Sequence, residues 1–413
     1  MRGPWPALTP LLMAIYARVK DNRRSHTSRD DGSVPRVSPI TASGDQENPL
    51  DFQSTQGLSE GARATLDRAF DSGWLEPQKL HHGSAHLRNL LHEARESIAT
   101  NLKVAVEDLE FVGELGFGYW SVIAGSLKNF SGTFIHGATD RQVVHAFARD
   151  WNDKGMKAIT AEADGEGLIS YQAALDDFDG TRAPFVLVWQ GSNRETGVGQ
   201  QNLEISVPDN SLLIADMTAM FRPDCTPNNW GVALWDPRNF GGPEGLAILA
   251  IRPDANWNSP IPKIDRRRLF DSYSKPLLLV TAVALEERIR NLEGEFKTLR
   301  KLRSELGERL KYSLSGVKLV GESNNQDPRR LALVVDGVAA EEILRQVEKR
   351  GVLIDAGSAC GSGALSPSHV LEAMGYGQSG HLRITLKTSH TSSDIENLVK
   401  ILAEEVERFR STI

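Results

Sequence analysis

Residues 185–216 read FVLVWQGSNRETGVGQQNLEISVPDNSLLIAD. Two nearly uninterrupted apolar runs, Phe185–Trp189 and Ser211–Ala215, lie at the ends of this segment, and turn-forming residues separate them. Such runs are typical of strands that are buried on both faces of a parallel sheet. Asp216 directly follows the second run, which predicts an acid at the carboxyl edge of that sheet.

The same alternation of short apolar runs with helical periodicity continues on both sides of this segment. It predicts an α/β fold whose large domain, residues 65–280, is a mostly parallel sheet flanked by helices. A long helical pattern, roughly residues 281–312, then leads to shorter runs, one of them Val352–Asp355, and to a final helix. We predict a smaller α+β domain made of residues 49–64 and 281–413.

Composition excludes several classes of function. The 413 residues include 47 Lys+Arg and 54 Asp+Glu, a net charge of −7, which gives no reason to expect nucleic-acid or membrane-surface binding. The chain has two cysteines, Cys225 and Cys360, and neither lies in a CxxC or Cys/His cluster. We therefore expect no disulfide framework, no metal site and a reducing, cytoplasmic location.

The first 48 residues have a different composition from the rest. An apolar stretch, Trp5–Ala17, is interrupted by prolines and is shorter than the roughly 20 residues that span a bilayer. The following residues are rich in Ser, Asp, Arg and Gly. We expect a disordered extension, or a start codon placed too early, rather than a membrane anchor.

Four stretches resemble the class V aminotransferases of the cysteine desulfurase type, which have the fold-type-I pyridoxal phosphate (PLP) architecture. The resemblance covers nearly everything after residue 48. The four stretches are Leu50–Gly57 with Gly83–Arg95, then Asn193–Gln200, then Asp216–Pro243, and finally Gly357–Ser362 with Pro367–Leu371 and Leu382–Leu386.

The resemblance implies a lysine that holds PLP covalently and an acid opposite the pyridine nitrogen. Asp216 matches the acid, although a capping Asp is the alternative interpretation. The lysine position, just ahead of the Gly241-Gly242-Pro243 turn, is occupied by Asn239. A carboxamide nitrogen cannot form an imine, so PLP could be held only noncovalently, and we expect no cofactor.

Other positions that the resemblance assigns to the PLP pocket are altered as well. Asn193 is retained. The ring-stacking histidine corresponds to Arg141, and the residue after Asn193 is Arg194. The serine and histidine of the lysine motif become Asp236 and Arg238, and Glu114 enters the phosphate-binding segment. We expect both carboxylates to repel a bound phosphate.

The end of the chain matches the family better. Cys360 lies in a Gly/Ser-rich stretch, where the family carries a cysteine that accepts sulfur as a persulfide. Arg383 matches the arginine that binds the substrate carboxylate, and a structural ion pair is the alternative for it. An inherited, idle thiol is the alternative for Cys360.

Three functions remain open at this point. The first is a non-catalytic desulfurase-like protein that forms a homodimer, or a heterodimer with a catalytic homologue, and passes sulfur through Cys360 to an acceptor protein. The second is an active PLP-dependent desulfurase or lyase with an atypical site. The third is a binder of another anionic small molecule, held by Arg141, Arg194 and Arg238 in the former PLP pocket.

Overall fold

A computed structural model describes residues 50–54, 56–72, 75–176, 183–203, 207–263, 269, 272–321, 325–356, 368–377 and 380–412. The predicted N-terminal extension therefore lies outside the described residues. The strands are β1 (Leu50–Asp51), β2 (Leu109–Val112), β3 (Thr133–Gly137), β4 (Ala158–Ala161), β5 (Phe185–Gln190), β6 (Leu212–Asp216), β7 (Val232–Trp235), β8 (Ala247–Ile251), β9 (Val317–Val320), β10 (Arg330–Val335), β11 (Val352–Leu353), β12 (Asp355–Ala356) and β13 (His381–Thr385). The α-helices are α1 (Glu60–Ser72), α2 (His82–Leu102), α3 (Leu115–Leu127), α4 (Gln142–Asp153), α5 (Tyr171–Asp176), α6 (Lys275–Ser313), α7 (Ala340–Lys349), α8 (His369–Ala373) and α9 (Ser392–Thr412).

Seven strands form the larger sheet, in the order β2-β8-β7-β6-β5-β3-β4. Strand β8 is antiparallel to both of its neighbours, and the other pairs are parallel. Every residue of β5, β6 and β7 is buried, because helices cover both faces. This confirms the predicted α/β fold with a mainly parallel central sheet.

A second, antiparallel sheet has the order β12-β13-β10-β9 and packs against α7 and α9. The long helix α6 contributes to the cores of both sheets. Its first part, with Leu278–Leu285, packs in the core of the larger sheet, whereas Leu292, Leu299 and Leu306 pack in the core of the smaller one. These three leucines recur every seven residues, a spacing that keeps them on one face of the helix.

The predicted single strand Val352–Asp355 is wrong. It divides into β11, which pairs with β1 in a separate two-stranded sheet, and β12, which pairs with β13. Ile354 between them is buried. Two-residue strands are too short to carry a periodic pattern, so no sequence pattern indicates the division.

Two short 3₁₀ turns, Val106–Asp108 and Pro237–Phe240, connect the elements around the larger sheet. The second follows β7 and ends at Gly241, whose φ of 78° lies in the left-handed region that favours glycine. This turn carries Asn239 to the carboxyl edge of the sheet. Across the described ranges, no helix is both long and apolar enough to cross a membrane.

Candidate functional site

Asp216 is the last residue of β6 and is buried. One carboxylate oxygen accepts hydrogen bonds from the Thr218 backbone N–H (3.0 Å) and the Thr218 hydroxyl (2.6 Å). The other oxygen accepts from the Tyr119 hydroxyl at 2.6 Å. Asp216 therefore lies where the sequence predicted, and partners within the chain already occupy three of its roughly four acceptor positions.

Tyr119 and Arg141 lie together beside this acid. The Arg141 guanidinium lies 5.5 Å from the centre of the Tyr119 ring and donates to the Thr218 hydroxyl at 3.1 Å. Burial raises the pKa of Tyr119 well above its usual value and Asp216 adds to the effect, while Arg141 opposes it. Tyr119 is thus kept protonated and acts as a donor.

Asn239 is buried, and both ends of its side chain are hydrogen-bonded. Its amide nitrogen donates to the Met220 carbonyl. Its side-chain oxygen accepts from Arg329 (3.0 Å) and Arg330 (3.2 Å), and its backbone carbonyl accepts from Arg329 at 2.6 Å. A carboxamide can donate and accept at once, whereas an ammonium group can only donate.

Asp327 holds both of these arginines in place. It accepts from Arg329 at 2.6 Å and from Arg330 at 2.9 Å. Burial would raise the pKa of Asp327, but the two arginines outweigh it and lower that pKa to about 2. Sequence reasoning missed this triad. Its signal was the run Asp327-Pro328-Arg329-Arg330 directly before an apolar strand.

Arg330 carries its charge in an unfavourable environment. Only 12% of its side chain is exposed. Burial, together with the charges of Arg329, Arg194 and Arg141, lowers the pKa of Arg330 to about 9, although Asp327 opposes the shift. The guanidinium groups at this site therefore repel one another.

The two carboxylates expected to repel a phosphate have other local partners. Asp236 accepts from the Arg238 guanidinium at 2.9 Å and from the Arg238 backbone N–H at 3.1 Å, so its charge is paired. Arg238, only two residues away, therefore offsets the charge of Asp236. Glu114 caps α3 and accepts from the Phe117 N–H at 3.0 Å, so a carboxylate occupies the start of that helix.

Asn193 and Arg383 are both engaged within the chain. The Asn193 amide donates to the Thr139 carbonyl (3.0 Å), and its oxygen accepts from two backbone N–H groups of the next turn. Arg383 donates to the Ala356 carbonyl at 2.8 Å and lies 3.8 Å from Glu195. Cys360 and the rest of its Gly/Ser-rich stretch lie outside the described residues.

Two adjoining cavities bring most of the predicted site residues together. The smaller, of about 120 Å³, is lined by Asn239, Arg329 and Arg330, and the larger, of about 390 Å³, by Asp216 and Arg383 among others. The residues that line both are Arg141, Arg194, Thr218 and Arg238. The two linings contain six arginines and no lysine among the described residues. In the same part of the chain, no group of three or more His, Cys, Asp or Glu side chains is placed to hold a metal ion.

The architecture is that of the fold-type-I PLP enzymes. A solved NifS-like protein superposes with a TM-score of 0.77 and 18% identity, covering 87% of this chain and 99% of that structure. The model of the family "Aminotransferase class-V" matches residues 278–398. The cysteine desulfurase of Trichormus azollae is 22% identical over 353 residues, which span 81% of this chain and 86% of the relative. The cysteine desulfurase IscS of Dictyoglomus turgidum is 23% identical over 383 residues, 88% of this chain and 95% of the relative.

These matches agree with the motifs read from the sequence and with the topology of both sheets. The chain is therefore similar to the class V aminotransferases, and the relatives that match most of its length are cysteine desulfurases.

Proposed function

We propose that this chain is a cysteine desulfurase-like protein that does not attach PLP covalently and has lost carbon–sulfur cleavage. The observation that carries the proposal is the hydrogen bonding of Asn239. Two guanidinium groups donate to its side-chain oxygen, at 3.0 and 3.2 Å. The lysine of the family would present an ammonium group to the same two arginines, with like-charge repulsion in place of two hydrogen bonds.

The surrounding residues do not fit the cofactor either. The two cavities offer no lysine amine among the described residues, and Glu114 presents a carboxylate at the start of α3. The first turn of a helix favours an anionic ligand only when its N–H groups are available, and Phe117 already donates to Glu114. Asp216 is held by Tyr119 and Thr218, so a pyridine nitrogen would have to compete with both.

A test of this proposal is mass spectrometry of the purified protein after incubation with PLP and borohydride reduction, together with its absorption spectrum. The expected result is a chain of unmodified mass, a colourless protein and no sulfide release from cysteine. A reduced PLP adduct on any side chain, or sulfide release, would overturn the proposal. That outcome would instead favour an active PLP-dependent desulfurase or lyase with an atypical site.

The role that we propose for such a protein is that of a partner in sulfur transfer. In a homodimer, or a heterodimer with a catalytic homologue, the Cys360 thiolate would attack the outer sulfur of a persulfide on a catalytic desulfurase and release the thiolate of that desulfurase. A thiolate of the acceptor protein would then attack the outer sulfur on Cys360 and release the Cys360 thiolate. The support for this role is the sequence Gly357-Ser358-Ala359-Cys360-Gly361-Ser362, which matches the family segment that carries the sulfur-accepting cysteine.

A persulfide-specific label tests the transfer. After incubation with an active cysteine desulfurase and cysteine, we expect label on Cys360. The variant Cys360→Ser should lose the label, and Cys225→Ser, which removes the only other cysteine, should keep it. Equal labelling of the two variants, or no labelling of the unmodified protein, would contradict a carrier role.

A further inference from the structure

Three histidine rings lie in a row where α8 meets the larger sheet. His136 is a buried residue of β3, His145 lies on α4, and His369 is the first residue of α8. The ring centres of His136 and His145 are 4.7 Å apart, and those of His145 and His369 are 5.3 Å apart. The row therefore connects α8 to the interior of the larger sheet.

Helix α8 contacts both sheets. It packs on β9 and β10 of the smaller sheet through apolar side chains such as Val370. Towards the larger sheet, His369 Nε2 donates to the Asp140 carbonyl at 2.8 Å, in the loop between β3 and α4. The Ser368 hydroxyl, directly before α8, donates to Glu195 at 2.6 Å. The hydrogen bond of His369 is therefore part of a contact between elements of the two sheets.

His136 is the innermost ring of the row. Its Nδ1 lies 3.2 Å from the Gly137 carbonyl and its Nε2 lies 3.1 Å from the Thr160 hydroxyl, and neither partner is charged. Burial and the nearby His145 lower the pKa of His136 to about 4. This ring is therefore uncharged near neutral pH.

His145, the middle ring, has a buried nitrogen without a partner. Within the described part of the chain, its Nε2 makes no hydrogen bond. Burial, His369 and Arg149 lower the pKa of His145, and two backbone carbonyls oppose the shift. A proton added to Nε2 would be buried without an acceptor, and Arg149 would repel its charge.

Asp140 provides the row with a carbonyl acceptor rather than with a full negative charge. Its carboxyl accepts from the Gly137 N–H at 2.9 Å and from the Gln190 amide at 3.2 Å. Burial raises the pKa of this carboxyl well above its usual value. A protonated His145 or His369 would therefore find only a weakened counter-charge here.

Two further acids near α8 are already engaged. Glu195 accepts from Ser368 and lies 3.8 Å from Arg383. Burial lowers the pKa of His381 on β13, and Glu195 and Glu372 oppose that shift. Protonation of the row would therefore place like charges side by side with little compensation.

We infer that the row of His136, His145 and His369 is a pH-sensitive contact, which holds α8 against the larger sheet while the rings are neutral and loosens when they take up protons. In the loosened form, rings that reach water take up protons near the ordinary histidine pKa of about 6.5, whereas in the closed form they resist protonation. The contact is therefore complete above that pH and weakens as the pH falls below it. His369 and Asp140 line the larger cavity, so mild acid would open one wall of that cavity. This inference goes beyond the proposed loss of carbon–sulfur cleavage and does not depend on it.

Hydrogen exchange of the full chain tests the contact. Exchange is measured at about pH 7.5 and about pH 5, on either side of the ordinary histidine pKa, and is corrected for the intrinsic effect of pH on exchange. We expect the amides of α8 to be protected at the higher pH. At the lower pH their protection should fall about tenfold, the effect of one unit of difference in pKa between the closed and loosened forms.

Two variants assign this loss of protection to the row. His145→Asn and His369→Gln each replace a titratable ring by an amide that can still form hydrogen bonds. Each variant should reduce the pH-dependent loss of protection, and the double variant should abolish it. The matched control is His92→Asn, at an exposed site of α2, which should show the full loss.

A second measurement follows the charges directly and does not require protection of α8. NMR titration of the histidine rings gives the pKa of His145 in the unmodified protein and in His369→Gln. Because His369 lowers the pKa of His145, removal of the His369 ring should raise that pKa. A purely structural role of His369 predicts no such rise.

Three results would overturn the inference: equal protection of α8 at both pH values, a pH-dependent loss that the double variant retains, or a pKa of His145 that is unchanged in His369→Gln. None of these readouts involves PLP attachment or sulfide release, so failure of this inference is distinguishable from failure of the proposed function. A protein that attaches PLP and still loosens α8 in mild acid through these histidines would contradict the first proposal and support this one.

Discussion

The backbone carbonyl of Asn239 accepts a hydrogen bond from the Arg329 guanidinium at 2.6 Å, between residues that are 90 positions apart in the chain. Asn239 lies on the turn that follows β7 of the larger sheet, and Arg329 directly precedes β10 of the smaller one. The position that the family resemblance assigns to the cofactor lysine is therefore, in this chain, a structural junction between the two sheets.

Replacing Asn239 by lysine should destabilise the protein rather than restore catalysis. The ammonium group could still donate to the Met220 carbonyl, but it would repel Arg329 and Arg330, which would lose the side-chain oxygen that accepts from both. We expect a loss of about 3 kcal/mol in the free energy of unfolding. Denaturant unfolding of Asn239→Lys measures this loss, and Asn258→Lys, at an exposed position, is the control. A variant as stable as the unmodified protein that attaches PLP would contradict the account of this junction.

Removal of the shared carboxylate should have a comparable effect. In Asp327→Asn, two mostly buried guanidinium groups lose their counter-charge, and breaking such a pair costs about 3–5 kcal/mol. The control Asp336→Asn affects an exposed pair with Lys318 and should change stability by less than about 1 kcal/mol. Urea unfolding of the two variants compares them directly, and equal losses would show that Asp327 does not stabilise the junction.

The Tyr119 hydroxyl should contribute measurably to stability through Asp216. Tyr119→Phe removes a buried donor at 2.6 Å from that carboxylate, which predicts a loss of about 1–3 kcal/mol. Tyr312→Phe is a suitable comparison because Tyr312 is 94% exposed, and it should be neutral. Thermal unfolding would reveal the difference, and identical melting temperatures would mean that Asp216 is satisfied without Tyr119.

His136 should make stability fall in mild acid. Burial and the nearby His145 lower the pKa of His136 to about 4. The unfolded chain takes up a proton near the ordinary pKa of about 6.5, while the folded chain resists protonation until about pH 4. The stability is therefore complete above the unfolded pKa and declines by about 3 kcal/mol as the pH falls through this window.

Unfolding free energies measured across that pH range test this prediction. The variant His136→Asn should show a smaller decline than the unmodified protein, whereas His92→Asn, at an exposed site, should show the same decline. An unchanged pH dependence in His136→Asn would assign the effect to other groups.

The central sheet could be predicted because its signal is local. Strands such as β5 and β6 are buried on both faces, so most of their residues are apolar and form a nearly continuous run in the sequence. The division of Val352–Asp355 into two strands could not be predicted, since each piece is two residues long and its partner strand lies far along the chain. Pairing over such distances leaves no periodic pattern.

The candidate site was predictable where a residue lies in a recognisable motif and not where it depends on a distant contact. Asp216 and Asn239 follow from their positions in the chain. Arg329 and Arg330 of the triad with Asp327 donate hydrogen bonds to Asn239, which lies about 90 positions earlier in the chain. No local sequence pattern predicts hydrogen bonds over such a separation. The pairing of Asp236 with Arg238, by contrast, is local, because the two residues are only two positions apart in the chain.

Helix α6 is 39 residues long, about 58 Å, and contributes leucines to the cores of both sheets. If the core of either sheet unfolded, the leucines of one half of α6 would be exposed to water. We therefore expect the two halves of the molecule to unfold as one cooperative unit, with a single calorimetric peak. Neither half can unfold without exposing apolar side chains of the helix that both cores share.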